Sequence, residues 1–311
     1  MGTVVLSIEA ELGWGYHDLA APPMDRIESG RERWRTLLEL LDTYRIPATW
    51  AVVGHLFLQR CDRAHPTHPV DEEWFTRERN DWADRPDLRF APGLIREIDD
   101  ADASHDIGCH SYTHVDFGNE ATTTRLARAE LVASLEAAES SPVPAAMTSV
   151  VFPHNSLGHR DVLAEWGFTC YRGVGPNGEP PPTSALRTIG NATVGTPPLV
   201  EPTIDEFGLV NVPASIHLYG LSGSARRICE RLWVDPVVAV VCRGVDAAAN
   251  GDGVFHIWLR PNDLLTDADV ERLRTVLAYV ARRRELSGLS VRTMRAVSQR
   301  VTARNEPPLR T

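Results

Sequence analysis

The sequence predicts an α/β fold, and within that class an open or distorted (β/α) barrel of about seven strands in preference to a doubly wound sheet. Two observations carry this. Short runs rich in Val, Ile and Leu alternate with amphipathic segments along nearly the whole chain, the order of repeated β–α–β units in a parallel sheet. Polar residues then close the runs, at Glu9, Glu11, His110, His154 and Arg260. Barrel folds place their sites at the C-terminal ends of strands, so agreement among separate strand ends outweighs any single motif.

Residues 3–9, Thr-Val-Val-Leu-Ser-Ile-Glu, read as a buried strand. Side chains alternate along a strand. Continued extension would point Glu9 and Glu11 one way and Ala10 the other. Gly13-Trp14-Gly15-Tyr16-His17 follows as a loop with aromatic edges. Residues 31–45 repeat Trp34, Leu37, Leu38 and Leu41 at helical spacing, and Ile46-Pro47 stops that helix. Ala48–Val53 is a second strand, ended by Gly54. Residues 55–92 form a polar insertion of weak periodicity, with His65 and His68 expected in solvated loops. A helix is expected over Phe90–Asp100 and a third strand over Asp106–Cys109.

Thr122–Ser140 is rich in Ala, Leu, Arg and Glu and reads as a helix, ended at Pro142-Val-Pro144. Thr148–Phe152 is a fourth strand opening onto Pro153-His154-Asn155, followed by a helix over His159–Trp166. Gly167–Gly173 holds a fifth strand and its exit. Residues 174–208 are a Pro- and Gly-rich connector, read as a long surface loop. Leu209–Val212 is expected as a strand, Ser222–Trp233 as a helix, and Val237–Cys242 as a strand or a buried helix end. Val254–Leu259 is a strand reaching Arg260-Pro261-Asn262. Asp267–Arg284 is the last long helix, capped by Thr266 or Asp267, and Leu289–Arg292 the final strand. The domain reading is one barrel over 1–301, with insertions at 55–92 and 174–208 and a frayed tail at 302–311.

The chain has 311 residues, 43% hydrophobic and 24% charged, enough for an ample core. A net charge of −10 and a pI of about 5.6 argue against a nucleic-acid or anionic-membrane surface. Cys61, Cys109, Cys170, Cys229 and Cys242 form no CxxC pair and are expected as reduced, buried thiols. No signal peptide and no membrane span are expected, which points to a cytoplasmic location.

Asp106-Ile-Gly-Cys-His-Ser-Tyr-Thr-His114 is the stretch around which the chemistry gathers. Residues i and i+4 share a face on a helical turn, so His110 and His114 could grip one divalent ion by the spacing logic of the zinc-protease helix. Glu9 and Glu11 add carboxylates from another strand end. A hydrolytic metal site uses such a mixed nitrogen and oxygen set with one position open.

Six segments in this order resemble the polysaccharide deacetylase family (carbohydrate esterase family four), particularly its intracellular branch in sugar and small-molecule biosynthesis. They are Leu6–Gly15, Leu40–Gly54, Gly108–His114 with its His-Ser-x-x-His core, Val151–Asn155, Trp166–Gly173 and Phe255–Leu264. The resemblance implies a distorted barrel with one divalent metal, zinc by default, held by an acidic residue and two histidines. The histidines transfer to His110 and His114. The family's Thr-Phe-Asp-Asp-Gly motif is altered, with Glu9 at the base position and Ala10 where the ligand is expected. A related pattern spaces its acids by one residue, so Glu9 is assigned as base and Glu11 as ligand, with exchange of roles open. His154 stands near the place of an arginine that orients the base.

The late motif, usually like Trp-Phe-His-Pro, reads Trp258-Leu259-Arg260-Pro261. Arginine cannot cycle a proton, but it suits an oxyanion or a substrate anion. That leaves His256 or His154 as general acid. Trp14, Tyr112 and Trp258 are expected to contact substrate by stacking, with Asn155 nearby. The implied function is metal-dependent removal of an N-acyl group, acetyl first, from an amino sugar or similar small metabolite. The alternatives are an amidohydrolase on formyl or cyclic amide or ureide substrates, and a catalytically degenerate binding protein. The sequence leaves the oligomeric state open.

Overall fold

The computed structural model describes residues 2–62, 65, 68–143, 145–174, 196–220 and 235–305. Strand β1 (Thr3–Ala10) is buried along its whole length. It pairs in parallel with β2 (Thr49–Val52) on one side and with β9 (Val254–Leu259) on the other. Both neighbours are equally buried, and strands covered on both faces need such continuous apolar runs rather than alternation. Beyond β2 the sheet continues through β3 (Asp106–Cys109), β4 (Ser149–Val151), β5 (Cys170–Arg172) and β7 (Val210–Asn211). Antiparallel β6 (Thr203–Ile204) lies at that edge. Beyond β9 lies β8 (Ile216–His217), and β10 (Ser290–Arg292) pairs with the start of β1. Among the described residues the sheet has ten strands, against the expected count of about seven. Strands β6 and β8 are two residues each, too short to leave a periodic signal.

One segment draws the two edges of this curled sheet together. Val212 N–H donates to Tyr171 O at 2.9 Å on the β5 side. A few residues later Ser215 N–H donates to His256 O at 2.8 Å and Leu218 N–H to Trp258 O at 2.9 Å, on the β9 side. Pro213 sits at the crossover, where the missing N–H costs no ladder bond.

Helices pack outside the sheet. Gly30–Thr43 buries Trp34, Leu37, Leu38 and Leu41 as the spacing predicts, and Trp34 stacks on Trp50 of β2 with ring centroids 5.3 Å apart. Asp267–Ser287 begins with a Thr266–Asp269 capping box and ends at Gly288 with φ 67°, a left-handed cap that glycine reaches without strain.

Of the strand and helix alternatives for Val237–Cys242, the helix holds: the segment opens the helix Pro236–Asn250, whose start is fixed by Asp235 accepting from Val237 and Val238 N–H. Of the tail expected to fray from about Thr302, residues 302–305 end the helix Met294–Asn305, whose Met294 and Val297 are buried against Val5, Cys170 and Val210, and 306–311 lie outside the described residues. His65 and His68 are not solvated. Their side chains are 8% and 7% exposed and pair with Glu78 and Glu130. The helix expected over Ser222–Trp233 and most of the 174–208 connector lie outside the described residues. Among the described residues no helix is long and apolar enough to cross a membrane, and Cys61, Cys109, Cys170 and Cys242 form no disulfide.

Candidate active site

The segment after β3 is not a helix. Ser111 (φ 57°) and His114 (φ 64°) are left-handed, so the helical-face argument for the two histidines is corrected. The imidazoles converge because the loop turns through two unfavourable conformations, at a cost of roughly 1–3 kcal/mol each. Glu130, buried on the helix Thr124–Glu139, holds the turn. Its carboxylate accepts from Tyr112 N–H and Thr113 N–H, both at 2.8 Å, and from Thr113 Oγ1 at 2.6 Å. Bonds to a buried carboxylate are worth about 1.5–3 kcal/mol each, enough to offset the strain. The 53–55 corner adds Gly54 N–H to Ser111 O at 2.8 Å and His55 N–H to Tyr112 O at 3.0 Å.

Glu11 follows the end of β1, with Oε2 3.5 Å from His110 Nε2 and 3.2 Å from His114 Nε2. One ligand atom from each of the three residues lies within 4.8 Å of the others, and all three are buried. His110 Nδ1 donates to Val151 O at 2.7 Å, which fixes the tautomer and leaves Nε2 with a free lone pair. Among the described residues, buried Glu11 Oε1 and His110 Nε2 have no hydrogen-bond partner. Such orphaned acceptors are costly, and a divalent cation would satisfy both, so the residues present fit a metal. Burial pushes the His114 pKa down, towards the neutral form a ligand needs. Burial alone would raise Glu11, but Arg260 and the two histidines hold it well below the usual carboxylate range. Gly15 lies under this carboxylate, and a Cβ there would overlap Glu11 Cδ.

Glu9 sits between two guanidinium groups. Its Oε1 accepts from Arg172 Nη2, and its Oε2 from Arg260 Nε at 2.8 Å. Arg260 Nε is also 3.7 Å from Glu11 Oε1. Burial raises the Glu9 pKa, but Arg172 and Arg260 outweigh it and hold the group below the ordinary value. Arg172 ends β5, is fully buried, and also donates to Ser7 Oγ at 3.1 Å and Asn155 Oδ1 at 2.6 Å. Arg172 lies in the motif segment Trp166–Gly173 but is not among the expected site residues. The available signal was a charge closing an apolar strand, as at the other site positions.

Other expected residues fall differently. His154 does not orient Glu9, since Arg172 and Arg260 do. It is exposed, left-handed (φ 56°), and its ring lies 4.8 Å from that of His114. His256 is corrected as a general acid. It is fully buried, with Nε2 2.8 Å from Ser7 Oγ and Nδ1 3.1 Å from the Val212 and Pro213 carbonyls. Burial, reinforced by Arg172, pushes its pKa down to about 3.

Trp14 and Trp258 are corrected as stacking platforms. They are 1% and 3% exposed. The Trp14 indole donates to Arg89 O at 3.3 Å, while Trp258 lies under Arg172 and stacks on His217 at 3.8 Å. Tyr112 is half-buried, and its ring packs against those of His55, His65 and His68. Asn155 stays beside the site through Arg172, and Arg260 keeps 26% of its side chain exposed.

Residues 22–168 match the family model for polysaccharide deacetylase. This span holds His110, His114 and His154 but ends before Arg172 and begins after Glu9 and Glu11. No curated protein matches the chain. A Mycobacterium smegmatis structure classed as a polysaccharide deacetylase is 18% identical with a TM-score of 0.64, over 99% of this chain and 92% of its own. PuuE allantoinase is 13% identical with a TM-score of 0.60, over 97% and 91%. A protein from Pseudomonas aeruginosa PAO1, likewise classed as a polysaccharide deacetylase, is 13% identical with a TM-score of 0.59, over 98% and 92%. At these identities the structures show a shared fold. With the polysaccharide deacetylase match over residues 22–168 and the same distorted (β/α) barrel over nearly the whole chain, the resemblance to the polysaccharide deacetylase family is borne out.

Proposed function

We propose that the chain is a metal-dependent hydrolase that removes an N-acyl group, acetyl in the first place, from an amino sugar or similar small metabolite. The observation that carries this reading is the convergence of Glu11, His110 and His114, with buried acceptors left unpartnered, beside a Glu9 fixed between two arginines. Glu11, His110 and His114 would hold the ion, zinc by the chemistry of the set, and it would supply Lewis acidity and a bound water of lowered pKa.

The chain's own groups take the remaining roles. Glu9 stays ionised and accepts the water proton, though its depressed pKa makes it a weaker base. Arg172 positions Glu9 from the interior. Arg260, partly open to solvent, binds the developing oxyanion or a substrate anion. His154, exposed beside His114, protonates the leaving amine.

The burial of Trp14 and Trp258 favours a second reading. A site without those aromatic platforms suits a small polar substrate such as a formamide, a cyclic amide or a ureide as well as a sugar. Turnover of N-acetyl, N-formyl and cyclic amide or ureide substrates by the zinc-loaded chain tests both readings. One class is expected to turn over, with kcat falling roughly 10²- to 10⁴-fold in Glu9→Gln. Metal-loaded protein that turns over none of them would leave the non-catalytic reading.

A further inference from the structure

The insertion between β2 and β3 gathers a second group of ligand-type side chains. One ligand atom each from His55, Cys61, His65 and Glu78 lies within 4.8 Å of the others. His55 and Glu78 are buried, at 0% and 2% exposure. His55 Nε2 is 3.2 Å from Glu78 Oε1, while His65 Nε2 is 2.9 Å from Glu78 Oε2 and 3.6 Å from Cys61 Sγ. His55 Nδ1 donates to Arg89 O at 3.3 Å, so its Nε2 carries the lone pair. That buried nitrogen makes no hydrogen bond among the described residues and is aimed at Glu78 Oε1. Two acceptors facing each other in the interior repel unless a proton or a metal ion lies between them.

We propose that this cluster is a second metal site, a closed structural zinc centre formed by His55, Cys61, His65 and Glu78. One thiolate, two imidazoles and one carboxylate make a four-ligand set that suits zinc and is too soft for calcium or magnesium. The thiolate and carboxylate balance the charge of the ion. Arg89 Nη2 donates to Glu78 Oε1 at 2.8 Å, orienting the carboxylate from outside. His65 is steadied by stacking on Phe75 at 4.0 Å. The His55 ring also lies 4.5 Å from that of Trp14 and 5.5 Å from that of Tyr112. An ion here would therefore fasten the insertion to the loop that carries His110 and His114. The inference stands independently of the proposed hydrolysis.

Cobalt(II) separates the two sites, because only this cluster offers sulfur. Metal-free chain reloaded with cobalt is expected to hold two ions and to show thiolate-to-cobalt charge-transfer absorption in the near ultraviolet. Cys61→Ser is expected to lose one ion and that absorption, and His65→Gln to weaken both. Glu11→Gln is expected to keep the absorption. Far-ultraviolet circular dichroism verifies that each variant is folded. Cobalt-loaded wild-type chain without the thiolate band, or Cys61→Ser with unchanged band and metal content, would overturn the proposal.

Discussion

Glu9 and Glu11 face the same space from the end of β1, and Arg260 Nε lies 2.8 Å from one and 3.7 Å from the other. Their remaining neighbours differ: a second guanidinium for Glu9, two imidazoles for Glu11. This difference supports Glu9 as the base and Glu11 as the ligand. Arg172→Met would leave Glu9 with a single partner in the interior, and removing one side of a buried pair costs about 3–5 kcal/mol. Urea unfolding checks this, and a loss within about 0.5 kcal/mol would contradict it. Gly15→Ala would push the Glu11 carboxylate off its place. Zinc affinity is expected to fall about 10- to 100-fold with the fold intact, as for other residues that orient ligands, and zinc titration measures it.

At this scale the strand-end rule singled out Glu9, Glu11, His110, His154 and Arg260, and the four-residue spacing added His114. It passed over Arg172 because one charge after an apolar run is common in any sequence. It misjudged Trp14 and Trp258 because an indole at a strand end can cover a ligand or plug the core, and only packing tells which.

The loop 110–114 depends on the helix Thr124–Glu139 standing close to it. Gly54 allows this approach, since a Cβ there would lie 2.7 Å from Ser134 Oγ and 2.8 Å from Ser134 Cα. Gly54→Ala should therefore cost about 1–3 kcal/mol by overpacking and lower zinc affinity by moving Glu130 off the Tyr112 and Thr113 amides. Denaturation and zinc titration on the one variant read both effects; a stability loss with unchanged affinity would separate the loop from the helix. Sequence periodicity located β1, β2, β3, β9 and the long helices within a few residues. It left Pro236–Asn250 open because Val-Val-Ala-Val-Val suits a strand equally well, and the decision lies with the Asp235 cap and burial. It could not foresee that His110 and His114 meet through left-handed Ser111 and His114, since serine does not announce a positive φ and histidine does so only weakly.

Across the whole molecule, alternating segments and polar strand ends made the barrel legible, whereas its closure through 212–218 was not, because one short segment serves both edges. The same interior sets the response to acid. Burial pushes His256 down to about 3 and His105 to about 4, while an unfolded histidine titrates near roughly 6.5. The unfolded chain therefore binds more protons below that value. The stability tied to each neutral histidine is fully present above pH ~6.5 and is lost as pH falls towards the folded pKa, by up to ~1.4 kcal/mol per pH unit each. Asp263 adds a lower window. Burial raises its pKa, but His217, Arg260 and Arg26 hold it at about 2, so its contribution is lost as pH falls from about 4 through 2. Urea unfolding at pH 7, 6 and 5 should show falling stability, with a shallower slope in His256→Gln. Equal slopes would contradict the neutral, buried assignment.

Metal content of the purified, zinc-equilibrated chain, beside Glu11→Ala and His110→Ala, tests the central claim most directly. The account predicts one ion fewer per chain in each variant, with far-ultraviolet circular dichroism unchanged. Equal metal content in all three, or no bound zinc in the wild-type chain, would contradict it.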